Sequence, residues 1–305
     1  MNANHTPGLR VSCFALLIAL MAPAVARAEV GVATQAGPGN PLAVYILDGS
    51  TEDPSPINPV WRKFAALDPY RVALNTVGEA RGDGMPSLVA DPATGLVVAA
   101  WSRNSASGFD VVVSRFIGGG WSTEQVVASS LANDLDPQLV LDPDGSVHLF
   151  YWVDGTTPQV FHVVAAPDLS SWSAPIAVSQ PGQSACRPAG VFHDGVLHVA
   201  YEVHDFGYGN APREVVIARF ENGSFVPEVV AMTDNMGDVR PQVHSHAGRL
   251  WVDWIDAETN WGVGEMAWTR LSSSGHWEPI QYEPFGDREQ RDYLTRGAAR
   301  LKAIQ

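Results

Sequence analysis

Arginines and carboxylates recur at matching positions along this 305-residue chain. Arg187 and Arg240 each stand directly before a proline, Pro188 and Pro241, and Asp136 stands before Pro137 in the same way. Met85 holds that place before Pro86. Three residues ahead of these prolines come Asp83, Asp134, Ala185 and Asp238. Later in each repeat lie Arg103, then Asp154, then Glu202 with His204 and Asp205, then Asp256 with Glu258. Planar guanidinium forks suit a carboxylate or an array of sugar hydroxyls. That chemistry makes Arg187, Arg240, Asp136, Arg103 and His204 the candidate ligand-binding residues. A glycosidase needs two carboxyl groups as acid and base, and Asp136, Glu202 and Asp256 are the candidates for that work. A structural alternative stays open. Aspartates ahead of a strand cap turns by accepting from backbone amides, and alternating Arg and Asp can form an ion-pair ring.

Other chemistries find less material. His148 and His198 share a repeat position without a third ligand at metal spacing, so no metal is expected. Asp142, Asp144 and Gly145 resemble a piece of a calcium loop but lack its downstream glutamate, and a hairpin turn accounts for them. Cys186 beside Arg187 reads as a buried cysteine rather than a reactive thiol. Gly118-Gly119-Gly120 falls in a turn and not before a helix, so no phosphate loop is read, and no cofactor is expected.

The elements that would position these residues come from an internal repeat. Pro86, Pro137, Pro188 and Pro241 lie about fifty residues apart. Gly95, Gly145, Gly195 and Gly248 follow them in turns, and six residues on come Trp101, Tyr151, Tyr201 and Trp254. Each repeat holds four short β-branched or aromatic runs separated by turn chemistry. Repeated four-stranded antiparallel sheets around an axis make an all-β propeller. The repeats cover about 86–136, 137–187, 188–240 and 241–283. A fifth, composite blade would use Leu42–Leu47 and Tyr70–Val77, with or without the C-terminal segment 284–305. An open solenoid or a sandwich is the alternative architecture. In a propeller the proline end of the inner strands and the second-to-third-strand loops share one face, and the candidate residues gather there.

The loops closed by Trp121, Trp172, Phe225 and Trp277 resemble degenerate Asp-boxes, the turns of sialidase-type, BNR-repeat propellers. The Pro-x-Leu-Val-x-Asp-Pro-x-Gly opening resembles the inner hairpin of the same superfamily. Asp168 is the one acid near the expected Asp-box place, and Gly84-Met85-Pro86 stands where sialidases carry Arg-Ile-Pro. The run Ala166-Pro167-Asp168-Leu169-Ser170-Ser171-Trp172 is also similar to a motif of five-bladed arabinanase- and fructosidase-like glycosidases. The resemblance spans Pro86 to Tyr282 and implies a fold more than an activity.

Arg10, the apolar run Val11–Met21 and Ala26-Arg27-Ala28 form a secretory signal pattern over residues 1–28, with Glu29 as the expected mature terminus. Residues 29–40 are expected to be a flexible leader, and 41–305 a single propeller domain. The formal charge is −14, and an acidic chain of this kind excludes nucleic acid and anionic membrane as natural partners. With Cys186 alone after processing, no internal disulfide can form. The expected protein is an exported, periplasmic or extracellular monomer that binds a glycan or another polar or acidic ligand. The alternatives are a glycoside hydrolase on the same face and a scaffold for a protein partner.

Overall fold

Runs such as Val147-His148-Leu149-Phe150-Tyr151 are rich in residues that fill a pleated, half-buried surface, and turn residues bound them on both sides. The computed structural model describes residues 28–33, 43–48, 72–73, 84–91, 94–105, 107–117, 120–204, 213–231, 237–246, 248–257 and 264–284, and throughout them these runs are strands. The signal segment before Ala28, the C-terminal segment after Pro284, and Asp83, Asp205 and Glu258 lie outside the described residues.

Four antiparallel units follow one another. Unit 1 holds β4 (Gly84–Asp91), β5 (Leu96–Asn104) and β6 (Phe109–Ile117), with β7 (Gly120–Trp121) and β8 (Gln125–Ala128) both paired to β6. Unit 2 runs β9 (Asn133–Leu141), β10 (Val147–Asp154), β11 (Gln159–Val164) and β12 (Ile176–Ala177). Unit 3 is β13 (Ala185–His193), β14 (Val196–His204), β15 (Arg213–Glu221) and β16 (Ser224–Ala231). Unit 4 is β17 (Gly237–His246), β18 (Arg249–Ala257), β19 (Gly264–Arg270) and β20 (Gln281–Pro284). A lone parallel bridge from Arg213 to Gly237 joins units 3 and 4. The first strands β4, β9, β13 and β17 pack in series, each against the next. This is the order that a radial repeat demands.

Before unit 1 lies a three-stranded sheet of β1 (Ala28–Ala33), β2 (Ala43–Asp48) and β3 (Val72–Ala73), with β1 beside β4. Strand β1 occupies part of the segment expected to be a flexible leader, and pairs with β2 from Ala28 opposite Asp48 to Ala33 opposite Ala43. The alternating Glu29-Val30-Gly31-Val32 carries the period of a strand, which its Gly- and Pro-rich surroundings concealed. The expected strand Leu42–Leu47 is present as β2.

The core lies between units. One apolar cluster joins units 1 and 2 through Val98, Val111, Leu139, Leu149 and Tyr151. A second joins units 2 and 3 through Phe150, Val160, Val199 and Tyr201, and a third joins units 3 and 4 through Ala189, Ile217, Leu250 and Trp254. The four repeat aromatics Trp101, Tyr151, Tyr201 and Trp254 are all buried, so they pack and do not serve as sugar platforms. Burying an apolar side chain of this size contributes on the order of 1.5–3 kcal/mol. The Asp142–Gly145 turn closes as expected, with the Gly145 amide donating to the Asp142 carbonyl at 2.9 Å. Among the described residues no helix is long and apolar enough to cross a membrane.

Candidate functional site

Each repeat proline sits in a β-bulge. In unit 3, Cys186 pairs with Glu202 and Ala189 with Ala200, so Arg187 and Pro188 together oppose Tyr201. The same two-against-one irregularity sets Asp136-Pro137 against Tyr151, Arg240-Pro241 against Trp254 and Met85-Pro86 against Trp101. Bulges re-aim side chains and cluster beside functional sites. The residue before a proline is expected to be extended, but here the backbone differs. Asp136, Arg187 and Arg240 are left-handed, with φ of 49°, 53° and 55°. The extra bulge residue has to turn the chain, and in these three units that residue is not glycine.

Glu202 organises the cluster these bulges create. It follows Tyr201 on β14, so it faces the opposite side of the sheet and stands across from Cys186. Its side chain is wholly buried. Both carboxylate oxygens accept from Arg187 Nη1, at 3.0 and 2.9 Å. The Arg240 amide donates to Oε1 at 2.5 Å, and Arg213 Nη1 lies 3.9 Å from Oε2. One buried acid therefore ties the bulge of unit 3 to the bulge of unit 4. A buried carboxylate is tolerated only when paired and bonded in this way.

Arg187 uses one edge of its guanidinium for this clamp, and its side chain keeps 35% exposure. Burial alone would pull that group down, but the adjacent Glu202 charge holds it above its ordinary value. Asp136 faces the same cluster from unit 2, where it accepts from Trp152 Nε1 at 3.0 Å. Part of its surface reaches solvent, yet protein surrounds it densely. That burial pushes its carboxyl above the usual carboxylate range, and the Glu202 charge adds to the push. The Trp152 indole and the charges of Arg187 and Arg240 pull the other way.

Five residues singled out in the sequence therefore converge: Asp136, Arg187, Arg240, Glu202 and His204, the last through Cys186. Its Sγ lies 3.4 Å from His204 Nε2 and 3.7 Å from Glu202 Oε2. Burial pushes the Cys186 thiol well up, with the Glu202 charge adding, in keeping with a buried cysteine and not a reactive thiol. Arg103 is placed differently. It is held within unit 1 by Asp110 at 3.0 Å and Glu124 at 3.3 Å. Asp256 pairs across the strands with Asp238 in unit 4. Asp134 takes the turn-capping role, accepting from the Ser130 amide at 2.7 Å.

Sequence reasoning missed two participants and one grouping. Trp152 was hidden next to the repeat aromatic Tyr151, although period-two alternation sends it to the other face. Arg213 opens β15 opposite His204, a pairing only the register reveals. Cys186, Glu202 and His204 form the third case. Their ligand atoms all lie within 4.8 Å of one another, so among the described residues they are the group that could hold a metal ion. Neither carboxylate nor thiol spacing along the chain signals this, because strand pairing and not sequence separation brings them together.

No protein-family model matches the chain, and no curated protein does. Solved structures do. The chain is similar to a protein of unknown function from Dyadobacter fermentans, at 12% identity and a TM-score of 0.53, over 66% of this chain and 68% of that one. It is similar to an ulvan lyase, a polysaccharide lyase, at 12% identity and a TM-score of 0.54, over 82% of this chain and 68% of that one. An α-L-arabinanase from Cellvibrio cellulosa aligns at 12% identity and a TM-score of 0.48, over 87% of this chain and 92% of that one. At such identities the likeness is one of fold: an all-β chain of four-stranded antiparallel sheets, shared with carbohydrate-active proteins.

Proposed function

We propose that this chain is an exported, five-bladed β-propeller that binds a glycan through the face bearing Asp136, Arg187 and Arg240. The fifth blade is the sheet of β1, β2 and β3, which stands beside unit 1 at the start of the series. The observation that carries the reading is the left-handed backbone at those three residues. Glycine adopts that conformation without a Cβ penalty, whereas other residues cost on the order of 1 kcal/mol or more. Three neighbouring units accept that cost at the same repeat position and use it to present charged side chains. Arg187 then offers its unclamped edge to a ligand, with Asp136 and Trp152 next to it. Such a mixture of planar donors, a carboxyl and an indole suits a sugar with hydroxyl or acidic substituents. The fold shared with the ulvan lyase agrees with a carbohydrate ligand.

The hydrolase alternative requires two open carboxyl groups. Glu202 is buried and clamped by Arg187 and the Arg240 amide, so it supports the arginines in this reading and leaves Asp136 and Asp256 as the acids.

The test uses the mature protein on a glycan array, beside Arg187→Gly and Arg240→Gly. Glycine keeps the bulge and removes only the side chain. Wild type should bind a subset of glycans, and each variant should lose at least about tenfold in affinity, the change expected from one lost charge-assisted bond or more. Wild type that binds no glycan, or variants that bind as well as wild type, would sink the proposal.

A further inference from the structure

Strand register brings a second chemistry to the same end of unit 3. Cys186 and Glu202 are direct cross-strand partners on β13 and β14. His204 lies two residues beyond Glu202 on the same strand, so both project from one face of the sheet. The three side chains are therefore aimed together by backbone pairing, before any side-chain choice is made. The Cys186 Sγ to His204 Nε2 separation is 3.4 Å and the Sγ to Glu202 Oε2 separation is 3.7 Å. Three ligands held about 2.0–2.3 Å from a tetrahedral zinc ion stand roughly 3.3–3.6 Å from one another. The two sulfur edges of the triangle are already close to those values, and the third, within 4.8 Å, needs only a small side-chain adjustment.

We infer that Cys186, Glu202 and His204 form a site for a thiophilic transition-metal ion of the Zn2+ class. The ligand set chooses the class. A thiolate and an imidazole select zinc-like ions over Ca2+ and Mg2+, which take oxygen ligands.

The neighbouring arginines set the strength of the site. Arg187 engages both Glu202 oxygens and Arg213 approaches Oε2. A carboxylate has about four lone-pair positions, so a metal and an arginine can share it. Their positive charge opposes a dication, and neutralisation falls to the thiolate. Binding must therefore expel one proton from Cys186 to solvent as the metal–sulfur bond forms, with no change of oxidation state. Affinity should rise with pH, and removing the Arg213 charge should tighten it. The site needs no saccharide, so its test is separate from that of the glycan reading.

The experiment is metal binding by the mature protein, read as zinc content after dialysis and as the near-ultraviolet thiolate-to-metal band on titration with Co2+. One Zn2+ per chain and a Co2+ charge-transfer band are expected. Cys186→Ser should abolish the band and weaken Zn2+ binding at least tenfold, and Arg213→Ala should strengthen it. Circular dichroism reports whether the serine variant folds. If it does not, the wild-type Co2+ band decides the matter alone, since Cys186 is the one thiol after residue 28. Wild type that binds no Zn2+, or Co2+ without the thiolate band, overturns the inference.

Discussion

Units 3 and 4 share one strand plan and differ at three places around the same bulge. In unit 4, Asp238 accepts a 2.6 Å bond from the buried indole of Trp254, and Ile255 follows on the next position. Unit 3 has Ala185, Tyr201 and Glu202 at the corresponding places. The aspartate acceptor is gone, the buried Tyr201 hydroxyl has no hydrogen-bond partner among the described residues, and an acid replaces the apolar Ile255. At these positions unit 4 follows the rules of a stable core, with the buried Trp254 indole paired and the next position apolar. Unit 3 breaks both rules at Tyr201 and Glu202, across the strand pair from Arg187. Departures of this kind from local consistency concentrate at functional sites, so the contrast locates the site independently of any charge count.

The largest effect should come from Glu202→Ala. It would strand the Arg187 guanidinium, remove the acceptor of the Arg240 amide and uncouple the two bulges. Breaking a buried pair by deleting one partner costs about 3–5 kcal/mol. Chemical denaturation of wild type and variant measures it. A cost under about 1 kcal/mol would mean that Glu202 does not hold units 3 and 4 together, and the comparison would lose its centre.

Next in size is Trp254→Phe in unit 4. The ring stays, the indole donor to Asp238 goes, and a loss of about 1–3 kcal/mol is expected by denaturation for a buried bond to a charged acceptor.

A third test separates the units by pH. Three residues after the turn glycine, unit 3 carries His198 where unit 4 carries Trp251. Burial, with lesser contributions from His193 and Arg219, lowers the His198 pKa from 6.5 to about 4. In unit 2, burial lowers His162 to about 3. The unfolded chain takes up these protons near pH 6.5, whereas the folded chain resists until about 4 or 3. Between those values the unfolded state binds more protons, so stability falls as pH drops. His198→Phe should make that decline shallower between pH 6.5 and 4, and leave the His162 part, which runs from 6.5 down to about 3. Melting temperatures across the range would show an unchanged slope if His198 is not buried as a neutral ring.

How far the chain could be read from its residues follows the same division. The strand plan was legible because prolines, turn glycines and aromatics recur at fixed offsets, and every one of those aromatics proved to be buried. Arg187, Arg240 and Asp136 were legible as one register position. Their backbone was not, because a proline by itself biases the preceding residue towards extended geometry, and only the pairing on either side reveals a bulge. Glu202 could be found as an acid but not as the clamp, since its partners lie on β13, β15 and β17. Cys186 read as buried. That it shares a face with Glu202 and His204 depends on the register of β13 against β14, which no spacing along the chain encodes.

The smallest expected effect is the most discriminating. Tyr201 is fully buried, and among the described residues its hydroxyl has no hydrogen-bond partner. Burial also raises its pKa, so the group is a neutral phenol at any pH the fold survives. An unpaired buried hydroxyl has already lost its water and gained nothing in return, and its removal should release that penalty. Tyr201→Phe should therefore leave stability within about 0.5 kcal/mol of wild type or raise it by up to about 1 kcal/mol. The same deletion of a polar tip at Trp254 should cost more, because there the donor is satisfied. Paired denaturation curves on the two variants give the difference directly. A loss of more than about 1 kcal/mol for Tyr201→Phe would mean that the hydroxyl has a partner, and the contrast between Tyr201 and Trp254 would disappear.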